Sequence, residues 1–266
     1  ITTERALCWA QRPRDAQPAQ WSRRLSMVSG FARHWSATDP RTEVPPLGLL
    51  PHRFRRRAPY IYTDAEIRSL LVAARQLRPA RGLRPWTYAT LFGLLAVTGL
   101  RISEVIGLDR EDVDLSAGIL SVRRTKFGKS RLVPVHLSTR MALLRYARRR
   151  DRLLKLRTPS FFLSHGGTRL TRWSVRRTFI HLSHRIGLRR PADRRGPRLH
   201  DFRHAFAVRT LVRWYQEGLE VERQMPVLST YLGHTHVADT YWYLSAVPEL
   251  LALASARLEQ AVGDLP

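Results

Sequence analysis

Residues 112–135 break the period of an otherwise helical sequence, and that break limits the folds open to the chain. Elsewhere apolar side chains mostly return at the three- and four-residue steps of helix faces. In ILSVRR and RLVPV they alternate instead, around Lys126-Phe127-Gly128-Lys129-Ser130, which reads as a hairpin turn. The pattern gives one hairpin among many helices. It predicts a mainly α fold with a small antiparallel β-sheet, of the α+β class.

The helices can be placed from their punctuation. Thr63-Asp64-Ala65-Glu66 is a capping box, opening a helix expected to reach Leu77. Others are expected over 86–97, from Ile102 after a stop at Gly99, and over 138–155, 171–186, 201–217, 225–232, 236–244 and 248–262. Nearer the start, Trp21, Leu25, Val28, Phe31 or Ala32, and Trp35 form one apolar stripe, with Arg23, Arg24 and Arg33 off it. This predicts a helix with one buried and one basic face. Prolines 40, 45, 46, 51 and 59, with the run HRFRRR among them, mark a connection between domains. The expected organisation is a partial helical domain over 1–50, a basic linker over 51–60 and a larger domain over 61–266.

The charge narrows the partner. Against 21 acidic residues stand 46 basic ones, a formal net charge of +25, and only Lys126, Lys129 and Lys155 among them are lysine. Such a surface attracts polyanions, nucleic acid first. The lone Cys8 excludes a disulfide framework and any multi-cysteine metal site. No run approaches the roughly 18 apolar residues of a membrane span. No membrane association is therefore expected, and a cytoplasmic setting is. The chain opens on Ile1 rather than Met, which fits a fragment or a processed product.

Four segments carry chemistry. TGLRISEVIGL sets Arg101 between a Gly-Leu helix stop and a short helix bearing Glu104. The hairpin RRTKFGKSRLVPV carries Lys126, eight residues before Pro134, and Lys129. LHDFRHAF gives His200-x-x-Arg203, one helical turn apart on one face. YLGHTHVADTYWYL sets His234 after a glycine and nine residues before Tyr243. In that order and at those separations, the four resemble the tyrosine recombinase (phage integrase) family, over about Tyr60 to Arg257.

The resemblance implies site-specific DNA breakage and rejoining through a 3′-phosphotyrosyl intermediate, without metal, ATP or other cofactor. Tyr243 would be the nucleophile, a choice over Tyr241 that rests on the family's spacing. Arg101, Arg203 and His234 would hold the scissile phosphate, arginine being a permanently charged fork that matches phosphate oxygens. Glu104 would orient Arg101, and His200 would serve as acid and base. Lys126 would protonate the leaving 5′ oxygen, since a lysine can give up its proton and an arginine cannot. Lys129 would be a phosphate contact or a plain turn residue.

The first 50 residues resemble the end of the family's core-binding domain. Arg23, Arg24, Arg55, Arg56 and Arg57 are expected against DNA phosphates. The partner implied is double-stranded DNA, held by a homo-tetramer in the nucleoid with accessory DNA-bending proteins. The apolar stripe Leu250, Leu251, Leu253, Ala254 and Leu258 fits the core or a neighbouring protomer equally. Three rivals stand: a type IB topoisomerase with the same chemistry, a silent basic DNA-binding protein, and a zinc hydrolase on the His200/His204 spacing, where an Asp replaces the usual glutamate.

Overall fold

A computed structural model describes residues 1–51, 58–123, 128, 130–155, 158–190, 192–193 and 196–263. Lys126, Lys129, Arg55, Arg56 and Arg57 lie outside these residues. The chain divides into two units, Ile1–Arg57 and Ala58–Pro266.

In the first unit, α1 (Thr3–Gln11) packs on α2 (Pro18–Trp35). Ala6, Ala10, Leu25 and Leu50 form its small core, with Leu7, Trp21 and Val28 against them. The sequence pattern gave no sign of α1, whose buried face is two alanines. It also misread α2. Leu25, Ser29 and Ala32 are the buried residues, while Phe31 and Trp35 are exposed and stack on each other 5.9 Å apart. A two-helix contact this close admits serine and alanine and turns the large rings outward. On the basic side Arg23 is exposed, but the Arg24 guanidinium lies 3.8 Å from the Trp9 ring centroid and donates to the Trp9 carbonyl.

The second unit holds nine described helices and one sheet. They are α3 (Asp64–Arg75), α4 (Arg84–Thr98), α5 (Ile102–Gly107), α6 (Leu137–Leu153), α7 (Arg172–Arg185), α8 (Asp201–Gln216), α9 (Val221–Leu232), α10 (Ala238–Ala246) and α11 (Pro248–Gly263). The sheet runs β1 (Val113–Asp114), β2 (Ile119–Val122), β3 (Arg131–Pro134), antiparallel throughout, with Leu120 opposite Val133. The α+β reading holds. Most boundaries shift by one or two residues, and two differences are larger. Strand β1 is an addition to the expected hairpin, and α9 starts at Val221 rather than 225 because Val221 and Met225 are both buried, which outweighs Pro226 inside the helix.

Helix α4 is the centre of this unit. It is apolar on most sides, burying Leu91, Phe92, Leu94 and Leu95, and it packs on α3, α5, α6 and α8. Phe92 meets Phe179 of α7 and Phe202 of α8, and Tyr62 stacks on Phe202 at 4.5 Å. Helix α4 stops at Gly99, in the left-handed region at φ 60°. A Cβ there would come 2.7 Å from the Phe206 ring, so glycine answers both the turn and the packing. A second core joins α8 to α9, α10 and α11 through Val208, Leu211, Met225, Leu228, Tyr243 and Leu250. Helix α8 belongs to both cores, and its first turn carries the candidate site. Among the described residues no helix is long and apolar enough to cross a membrane.

Candidate active site

Two helix ends create the place for a buried cation. The last carbonyls of α4 and α9 have no partner within their helices and carry the negative end of the helix dipole. Arg203, only 2% exposed, donates from Nη1 to the Gly99 carbonyl at 3.0 Å and from Nη2 to the Leu232 carbonyl at 2.7 Å. Burial, and then the neighbouring Arg101 charge, push its proton affinity down to about 10. It remains a cation at neutral pH, held by carbonyl dipoles.

Arg101 is the N-cap of α5, and Glu104, at the third helical position, reaches back to it. The carboxylate accepts from the Arg101 backbone N–H at 2.9 Å and from Nη1 at 2.8 Å. Arg101 Nη2 donates to the Gly233 carbonyl at 3.1 Å, so the end of α9 serves both arginines. Glu104 is buried, and it takes a second cation that sequence reasoning missed. Arg131 of β3 donates Nη1 to Oε1 at 3.1 Å and Nη2 to Oε2 at 2.9 Å, and its Nε donates to the Tyr231 carbonyl at 2.8 Å. Burial alone would raise the Glu104 carboxyl, but the hydrogen bonds and charge of Arg131, with those from Arg101, hold it below its ordinary value. Two guanidiniums therefore share one carboxylate with Arg203 as a third cation nearby, and the surplus positive charge suits an incoming phosphate.

The histidines and the tyrosine close the cluster. His200 is the N-cap of α8, next to the buried Asp201 that pairs with Arg198. Desolvation of its ring, then the Arg203 charge, push His200 down to about 4, although the residue keeps exposed surface. His234 follows Gly233, the left-handed C-cap of α9 at φ 70°. Its Nδ1 is 2.7 Å from Oγ1 of the buried Thr240, and burial followed by Arg203 and Arg101 pushes it down to about 4. Both imidazoles are neutral at pH 7.

Tyr243 is 2% exposed, its hydroxyl 3.3 Å from His204 Nδ1 and its ring stacked 6.3 Å from His234. Tyr241 on the same helix is 43% exposed. The His204 ring also meets His200 edge-on at 4.6 Å. His204 thus packs against α10 as well as reaching the Tyr243 hydroxyl. Among the described residues no group of three or more His, Cys, Asp or Glu is placed to hold a metal ion.

The structure thus gathers Arg101, Glu104, His200, Arg203, His234 and Tyr243 and adds Arg131, His204 and Thr240. Of these three only His204 had a visible signal, its place directly after Arg203. The surface beside Arg101 opens into a cavity of about 500 Å³ lined by Ser103, Asp109, Ser121 and Arg123 among others.

Comparison with known proteins identifies the family. The family model described as the phage integrase family matches residues 61–249. A Sinorhizobium fredii protein named integrase/recombinase y4rB is 53% identical over 99% of this chain and 86% of its own length. The tyrosine recombinase XerD of Caulobacter vibrioides is 32% identical over 90% of this chain and 74% of its own. Among solved structures, the XerH site-specific recombinase bound to palindromic difH substrate superposes with a TM-score of 0.68 at 16% identity, covering 99% of this chain and 72% of that one. The integrase of the Tn1549 transposon, in complex with transposon right end DNA, gives 0.68 at 18%, covering 98% and 85%.

Proposed function

The chain belongs to the phage integrase family of tyrosine-type DNA breaking and rejoining enzymes, and we propose that it performs that reaction with Tyr243 as nucleophile. The Tyr243 oxygen attacks a scissile phosphorus, forming the P–O bond to tyrosine as the bond to the 5′ oxygen breaks. The phenolic proton passes to the histidine pair, His204 touching the hydroxyl and the neutral His200 beside it. Arg101 and Arg203 neutralise the charge that builds on the non-bridging oxygens, and His234, fixed by Thr240, donates to one of them. Lys126 supplies the proton for the leaving 5′ oxygen. A 5′ hydroxyl from a partner strand then reverses the attack, so bond energy is conserved without ATP or metal.

One observation carries this reading. The Tyr243 hydroxyl and two arginines sharing the end of α9 lie in one cluster whose cations outnumber its carboxylates. The rest of the reading concerns assembly. Four protomers would pair two duplexes in the nucleoid, with accessory DNA-bending proteins. Arg23 and the basic linker would lie along phosphates, and the exposed Leu251 and Leu258 of α11 would meet a neighbouring protomer.

The test is adduct trapping. Nicked suicide duplexes tiled from the DNA flanking the gene are incubated with protein in EDTA, and any covalent complex is mapped by mass spectrometry. The expected adduct is on Tyr243 and is absent from Tyr243→Phe. An adduct on Tyr241, or undiminished trapping by the variant, overturns the assignment.

A further inference from the structure

The end of α4 remote from the site holds a second concentration of arginine. Trp86 sits in its first turn, about 20 Å from Gly99 at the helical rise per residue. The Arg75 guanidinium, from the last turn of α3, lies 3.3 Å from the Trp86 ring centroid, and that of Arg149, from α6, lies 5.4 Å away. Arg149 Nη2 donates to the Arg81 carbonyl at 3.2 Å, and Arg84 Nη1 donates to the Arg78 carbonyl at 3.3 Å. Arg145, one turn before Arg149, is exposed, as are Arg75 and Arg81. Among the described residues, no ion pair joins any of these six arginines to a carboxylate. Arg110, Arg123, Arg169 and Arg198, by comparison, each have an acidic partner.

Gathering like charges without a counter-ion costs free energy, and the proton of Arg75 is loosened by partial burial and by the charges of Arg149 and Arg145. The geometry shows what offsets that cost. A guanidinium lying against an indole is fixed in orientation while N–H groups at its edge stay open to a planar or tetrahedral anion. Trp86 is thus occupied as a platform for arginine, which takes it out of use as the aromatic anchor that protein partners favour. Forks without an anchor fit phosphates spaced along a backbone better than an acidic peptide.

We propose that this arginine cluster is a second DNA-binding surface, holding the phosphates of a duplex segment other than the one at the active site. It rests on the reading of the chain as a DNA enzyme and extends it. A protein that brings two DNA segments together gains from a surface away from its active site that holds a second segment without reading its sequence.

Stoichiometry tests it on the full chain. Duplexes too short to reach from one face to the other are titrated to saturation against wild type and against the triple variant Arg75→Gln, Arg145→Gln, Arg149→Gln. Wild type should take up two duplexes per protomer and the variant one. In wild type the slope of the weaker phase, as log affinity against log salt, should be roughly −0.9 for each phosphate contacted. Suicide-duplex adducts, scored in the same samples, should form equally in both proteins. Their absence from wild type would count against the enzyme reading alone, since uptake is measured without chemistry. One duplex per wild-type protomer, or two in the folded variant, overturns the proposal. So does displacement of the second duplex by polyglutamate as readily as by competitor DNA, which would point to an acidic protein partner.

Discussion

Arg131 and Glu104, from a strand and a helix 27 residues apart, meet fork to fork with both nitrogen–oxygen distances near 3 Å. The Arg131 side chain is 10% exposed and that of Glu104 5%, so solvent screens the pair little. Through it the hairpin is tied to the helix of Arg101, and through Arg131 Nε to the end of α9 before His234. Removing one member of a buried pair strands the other, at a cost of about 3–5 kcal/mol. Glu104→Gln should therefore lose stability in chemical denaturation on that scale, and Arg131→Gln likewise. A double variant that loses the full sum of the two would show that the residues act independently.

His204 is expected to set where the Tyr243 oxygen points. Its Nδ1 lies 3.3 Å from that oxygen, and a misplaced nucleophile commonly costs about 10²-fold in rate. His204→Phe keeps a ring of similar size against Trp242 and Tyr243 and should slow single-turnover adduct formation by about that factor, with DNA affinity unchanged. Equal losses in binding and rate would assign His204 to packing.

Gly233 carries two constraints. Its φ of 70° is strained for any residue with a Cβ, and a Cβ there would stand 2.7 Å from Arg131 Nη1. That nitrogen cannot swing aside without leaving Glu104. Gly233→Ala should therefore destabilise the fold by more than the roughly 1 kcal/mol of backbone strain alone. The extra loss should vanish in the Arg131→Gln background, measured as a difference in denaturation midpoints.

How far the sequence reached depended on the range of the contacts. Capping at Thr63, the glycine stops at Gly99 and Gly233 and the alternation in β2 and β3 are local devices, and each produced its element. Arg101, Glu104, His200, Arg203, His234 and Tyr243 could be proposed because they stand in short motifs whose order is itself informative. Arg131 was invisible, being one of 43 arginines, and its role exists only once β3 lies beside α5 and α9. Thr240 was equally silent, because nothing local distinguishes a threonine that fixes an imidazole six residues away. Phe31 and Trp35 fit the helical period and still face outward, since period tells which residues share a face and not how wide that face is.

The neutral imidazoles set the response to acid. His200 and His234 are both pushed down to about 4, against an ordinary value near 6.5. Between those values the unfolded chain takes up protons that the folded chain refuses, so stability rises with pH across that range. Stability fully present above pH 6.5 is lost as the pH falls toward 4. The upper part of that interval, from about 6.5 to 5, lies above the ordinary carboxylate range, so the histidines dominate there. Melting temperatures of the DNA-free protein should fall across it, and those of His234→Gln should fall less steeply because one of the two groups no longer titrates. Bound DNA should flatten the wild-type slope as well, since a phosphate beside each ring favours its protonated form. A variant whose slope matches wild type would mean that folding does not shift the titration of His234.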